Sequence, residues 1–334
     1  MNTIGKILTL TTFGESHGSA MGGVLDGMPA GVDIDLDKLQ RFVDRRRTGQ
    51  MPGSSMRGEK DRVEVLSGIW EGKTLGTPIG FLVRNTDARS GDYEDIARCY
   101  RPNHADYTWE AKYGVRDPRG GGRASARETV ARVVVGAIAI QALERLGITV
   151  SAQVVQVADT RVEEEFVDKI VQAASEGDTL GGIISCVAKG VPAGLGEPVF
   201  GKLHAQLAAA MMSIPSVHGF EYGDGFEMAT KRGSEVMDVF EKRDDGSVAT
   251  QTNHSGGIQG GISNGEDITM RIAFKPVPTL MREMPSIDKG GNPVTLQPRG
   301  RHDACVLQRA VPIVEAMAAL VILDNYLIKK TNVL

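Results

Sequence analysis

Cysteine is scarce in this chain: Cys99, Cys186 and Cys305 are scattered singly along it. That spacing gives neither a disulfide framework nor a metal-ligand cluster, so no metal site is expected. Aromatic residues make up only 5% of the sequence, and the formal net charge is −4. Proteins that bind nucleic acid generally show a basic excess and aromatic stacking platforms, so that class is disfavoured. Long apolar runs are also missing. The stretch 130–143 is strongly apolar but carries Arg132 and Gln141, which fits a buried helix better than a bilayer crossing. Residues 1–10 show no basic segment followed by a long apolar one, so no secretory signal is visible. A cytoplasmic protein with no membrane partner is the expectation.

What is present is a globular composition: 334 residues, 41% hydrophobic and 24% charged, with 41 glycines and 14 prolines. Arginines crowd the stretch 41–132, including Arg45, Arg46, Arg47, Arg101, Arg116, Arg119, Arg123 and Arg127. Guanidinium groups match carboxylate and phosphate oxygens bidentately, so a small polyanionic ligand is a natural partner. Solvated surface arginines would give the same tally.

A short pattern recurs. Residues 23–31 run from an apolar strand into Gly27-Met28-Pro29-Ala30-Gly31 and a helical pattern over 36–47. Residues 184–194 run into Gly190-Val191-Pro192-Ala193-Gly194 and a helical pattern over 200–212. The period is too long for a solenoid. It fits two related halves, near 20–48 and 182–212, folded as one domain spanning 1–334 with a pseudo-twofold relation.

Helices are expected over 128–146, apolar nearly all round, and over 304–329, bent or begun near Pro312. Ser125 and Glu128 have capping-box spacing, and Gly147 stands where a helix C-terminus favours glycine. Segments 7–12, 79–83, 182–187 and 268–274 are strand-like. Helix and strand mix without regular alternation, which favours an α+β class over a doubly wound sheet.

Several clusters could carry chemistry. Gly14-Glu15-Ser16-His17-Gly18 ends a strand with an imidazole flanked by glycine, and the pKa of histidine lies near working pH. Arg101-Pro102-Asn103-His104-Ala105-Asp106 sets an imidazole beside an arginine and a carboxylate. Arg119-Gly120-Gly121-Gly122-Arg123 precedes a helix N-terminus, where free N–H groups and the helix dipole favour an anion. Ser125 and Glu128 would equally explain an ordinary capped helix there. Neither a Walker loop nor a dinucleotide fingerprint matches the glycine spacing. Later come the glycine-rich 253–261, Lys275-Pro276-Val277-Pro278-Thr279, and Gly300-Arg301-His302-Asp303, where Asp303 could also serve as a helix cap.

Together these segments resemble chorismate synthase over about residues 3–325. The resemblance rests on Gly14–Gly18, Arg101–Asp106, the run Gly122-Arg123-Ala124-Ser125-Ala126-Arg127-Glu128-Thr129, Asn253-His254-Ser255-Gly256-Gly257, and Gly300–Asp303. It implies a β-α-β sandwich fold and the conversion of 5-enolpyruvylshikimate 3-phosphate to chorismate and phosphate. The implied enzyme is a lyase that ends the shikimate pathway and needs reduced FMN without net redox change. It also implies a homotetramer supplied with reduced FMN by an external flavin reductase.

By the same resemblance, His17 protonates the departing phosphate and His104 protonates the reduced flavin. Asp303 assists proton transfer near flavin N5, and Ser16 positions these groups. Arg46, Arg101, Arg127 and Arg301 match substrate-binding arginines. Flavin contacts map to Arg123, Ala124, Ser125, Gly260, Lys275, Pro276, Val277, Pro278, Thr279 and Arg301, and Arg46 matches a position tied to NADP(H) in some members. Three positions depart from the pattern: Ala124 replaces a common serine, Pro52 stands where relatives carry arginine, and Val277-Pro278-Thr279 replaces a more hydroxyl-rich turn. A conventional flavin oxidoreductase and an anion- or RNA-binding module are the competing readings. Residues 50–58, rich in glycine and serine, are a candidate lid.

Overall fold

Ile268–Phe274 shows how the strands form: Ile268, Met270, Ile272 and Phe274 are buried while the residues between them are not, the period-two pattern of a sheet with one covered face. The computed structural model describes residues 1–47, 60–86, 97–297 and 303–332. Arg301, Pro52 and the candidate lid at 50–58 lie outside the described residues.

Two antiparallel sheets carry the fold. The first consists of β1 (Thr3–Ile4), β2 (Thr9–Gly14), β3 (Ala20–Asp26), β4 (Val63–Val65) and β5 (Ile79–Arg84), in the order β1-β2-β3-β5-β4. The second consists of β6 (Thr149–Val157), β7 (Gly182–Lys189), β8 (Val217–Tyr222) and β9 (Ile268–Phe274), in the order β8-β9-β7-β6. Its register pairs Ile268 with Ala188 and Phe274 with Gly182, and a bulge between Val154 and Gln156 bends β6. Between the sheets lie α1 (Leu36–Asp44), α3 (Thr129–Glu144), α5 (Leu203–Met212) and α6 (Leu307–Asn332), with α2 (Asp106–Tyr113) and α4 (Phe166–Ser175) outside this central layer. The helix α3 packs on the first sheet and on α6, and α6 packs on the second sheet. This is the expected β-α-β sandwich of α+β class. In both repeat segments a strand, β3 or β7, runs through Gly-x-Pro-Ala-Gly into a helix, α1 or α5.

The two central helices approach closely because Gly136 has no side chain. A Cβ there would lie 2.1 Å from the Cβ of Ala316. α6 has the expected length, shifted by three residues, but is more apolar than the sequence reading allowed. By length and composition alone it could cross a bilayer, but 83% of its most apolar window is buried, as expected of a core helix. Pro312 lies inside α6 rather than at its start. The buried polar groups of α6 are satisfied. Glu315 accepts from Arg45 at 2.6 and 3.1 Å and from the Ala152 backbone N–H at 3.0 Å, and Asp324 accepts the N–H groups of Lys6, Ile7 and Leu8. Such bonding offsets the cost of burying a carboxylate. At the far end of α3, Gly147 adopts φ 74° and donates to the Glu144 carbonyl, the expected glycine stop.

Candidate active site

Four chain segments end at one place. β2 finishes at Gly14 and delivers Ser16 and His17; α1 finishes at Asp44 and delivers Arg46; β9 finishes at Phe274 and delivers 275–279; Asp303 stands just before α6. They wall a cavity of about 400 Å³. His17 and His104 both line it, with Ser16, Arg46, Arg101, Ala124, Ser125, Arg127, Lys275, Val277, Pro278, Thr279 and Asp303. Six cationic side chains (Arg46, Arg47, Arg101, Arg127, Lys275 and Arg309) face it against two carboxylates, Asp61 and Asp303.

The glycine run has a role that the sequence reading did not foresee. Gly120, Gly121 and Gly122 all hold positive φ, and the first two seat the imidazoles. A Cβ on Gly120 would lie 2.2 Å from His17, and one on Gly121 would lie 2.9 Å from Cε1 of His104. The flanking arginines turn elsewhere. Arg119 pairs with Asp117 at 2.8 Å near the surface, and Arg123 donates to the Gly14 carbonyl and to Thr12 Oγ1. The capping box is only half formed. Ser125 Oγ accepts the Arg127 N–H, but the Glu128 carboxylate accepts from Thr12 and Arg132 instead of reaching back. Arg123 and Gly260, which sits exposed on the hairpin joining Ile258–Gln259 to Ile262–Ser263, do not line this cavity, and Pro276 points to solvent.

Each imidazole is oriented. The Nδ1 atom of His17 lies 3.2 Å from Ser16 Oγ, and Asn85 pins the His17 turn by donating to the carbonyls of Glu15 and Gly18. Asp106 closes the His104 loop, accepting from the Arg101 backbone N–H and, at 2.8 Å each, from its Nε and Nη2. Nδ1 of His104 stands 3.1 Å from Arg101 Nη2 and 3.2 Å from Asp106 Oδ1. Burial pushes the His104 pKa below its ordinary value; the Asp106 hydrogen bond opposes this, and Arg101 and Lys275 add to the lowering. Lys275 Nζ donates to the Asn103 carbonyl, joining the 275–279 turn to the His104 loop.

Arg46 is 2% exposed and donates to Thr129 Oγ1, Asp61 and the Ala126 carbonyl. It lines the cavity. Sequence reasoning missed Asp61, Asn85 and Arg309. Arg309 donates Nε to the Arg46 carbonyl and pairs with Asp303 through Nη1. No local signal marks these three; their partners lie 6 to 263 positions away.

Two imidazoles on a cationic cavity are suited to moving protons beside an anionic ligand, as in an enzyme active site. The chorismate synthase family profile matches residues 8–327. The chain is 52% identical to chorismate synthases of Parabacteroides distasonis and Phocaeicola vulgatus, each comparison covering 99% of both chains. It is 51% identical to the Chloroflexus aurantiacus enzyme, covering 98% of this chain and 95% of that one. A crystal structure of chorismate synthase superposes with TM-score 0.77 at 30% identity, covering 98% of this chain and 93% of that one. The chain belongs to the chorismate synthase family and is a lyase of that class.

Proposed function

We propose that the chain converts 5-enolpyruvylshikimate 3-phosphate to chorismate and phosphate by anti-1,4-elimination, using reduced FMN with no net redox change. What supports this reading is the convergence of His17 and His104 on one cavity with six cations. The donor set suits a phosphate-bearing cofactor beside a phosphorylated substrate: Ser125, Lys275 and the 277–279 turn would hold the cofactor, and Arg101 and Arg127 the substrate. When bound there, reduced FMN would supply electron density to the substrate transiently, with no net change in its own oxidation state.

His17, its ring fixed by Ser16, donates a proton to the departing phosphate oxygen. The arginines neutralise the charge that builds on that oxygen, and they are already aligned before the reaction begins. His104, its pKa lowered chiefly by burial, would hold or release a proton toward the cofactor, and Asp303, paired with Arg309, would assist. The working assembly in this reading is a cytoplasmic homotetramer fed by a separate flavin reductase. NADP(H) gains no support from Arg46, whose donors are engaged with Thr129, Asp61 and Ala126. The test is incubation with substrate and FMN, pre-reduced or oxidised, without oxygen. Chorismate and phosphate should form only with reduced FMN; product formation without it, or none with it, contradicts the proposal.

A further inference from the structure

An acid on the wall of an anion-binding cavity calls for an explanation. Asp61 is 2% exposed, and its Oδ2 accepts from Arg46 Nη1 at 3.3 Å while its Oδ1 accepts from Arg127 Nη1. Its backbone stands at φ 46°, a conformation costly to most residues and tolerated by Asp and Asn. The fold accepts that cost to set one carboxylate between two arginines.

Orientation alone does not account for it. Arg46 is also held by Thr129 and Ala126, and Arg127 by Asn85 and the Arg84 carbonyl. Charge does. Arg46, Arg127 and Arg309 crowd the same floor, and burial together with Arg309 pushes the Arg46 pKa down to about 9. Burial favours the neutral acid at Asp61, but Arg46 and Arg127 outweigh it and hold the carboxyl below its usual value, so it is charged at neutral pH.

We infer that Asp61 is an internal counter-anion, which neutralises Arg46 and Arg127 between turnovers and competes for them with the phosphate group of substrate and product. Its charge keeps the cavity from retaining inorganic phosphate. The inference rests on the phosphate chemistry proposed above.

Inorganic phosphate titrated into the full chain by calorimetry, with thermal melting alongside, tests it. Asp61→Asn removes the charge and keeps the shape and the backbone tolerance; Asp61→Gly removes the side chain at no backbone cost. Both should bind phosphate at least tenfold tighter than the unaltered chain, about 1.4 kcal/mol. Both should also melt lower without phosphate and gain more from adding it. A variant that folds only with phosphate present gives the same result in stronger form. Unchanged or weaker affinity, or failure to fold at any phosphate concentration, overturns the counter-anion role. No phosphate binding by the unaltered chain or by either variant overturns the anion-cavity reading, and this inference with it.

Discussion

Gly120 and His17 compete for one space: a Cβ on Gly120 would come within 2.2 Å of both Cε1 and Nδ1 of the imidazole, and 2.9 Å from Ser16 Oγ. The glycine lets the chain pass behind the ring and fixes where the ring stands.

Gly120→Ala therefore displaces His17 and strains a backbone at φ 62°. The strain costs about 1–2 kcal/mol of stability. A shift of roughly 1 Å in a catalytic group costs about 10²-fold in rate. Turnover in the anaerobic phosphate-release assay should fall by that factor while the protein still melts cooperatively. Wild-type turnover in a folded variant contradicts the seating role.

His17→Ala should fold normally and turn over roughly 10²-fold or more slowly, the usual loss when a general acid is removed. Circular dichroism and steady-state phosphate release check the two halves of this expectation. Near-normal activity removes His17 from the chemistry.

The helix contact gives a stability prediction opposite to propensity. Ala normally favours a helix over Gly by roughly 1 kcal/mol. Gly136→Ala, however, places a Cβ 2.1 Å from that of Ala316, and overpacking of this kind costs about 1–3 kcal/mol. Denaturant unfolding should show Gly136→Ala destabilised, and the double variant with Ala316→Gly still destabilised, because the new Cβ would also lie 2.4 Å from the Ala316 Cα. Equal stability of the single variant and the parent would show that the helices move apart freely.

His104 sets a pH dependence. Its folded-state pKa lies below the ordinary value of 6.5, chiefly through burial. Below about 6.5 the unfolded chain therefore binds a proton that the native state resists. The contribution to stability is whole above that pH and is lost as pH falls toward the folded value. Melting temperatures between pH 8 and 5 should decline less steeply for His104→Gln than for the parent. Parallel slopes would contradict a lowered pKa.

How much of this was legible in the sequence varies with the range of the interactions. Strands and helices were readable because their burial patterns are local: β9 matched residue for residue, and α3 and α5 came within three residues at each end. His17, His104, Lys275 and Asp303 stand in short glycine- or proline-marked segments, and all four meet at the cavity. The seating role of the glycine run was not legible, because backbone freedom before a helix looks the same whether it admits an anion or makes room for two imidazoles. Asp61 was invisible for another reason. In Glu59-Lys60-Asp61-Arg62 it reads as solvated charge, and only contacts with Arg46 and Arg127 from distant segments give it a function.

On the proposed reading, both imidazoles and the arginine cluster serve a phosphate elimination that consumes no reducing equivalents. Counting phosphate released against FMN oxidised, under strict exclusion of oxygen, tests it most directly. Many phosphates should be released for each flavin, with the flavin still reduced at the end. One flavin oxidised for every phosphate released would contradict it.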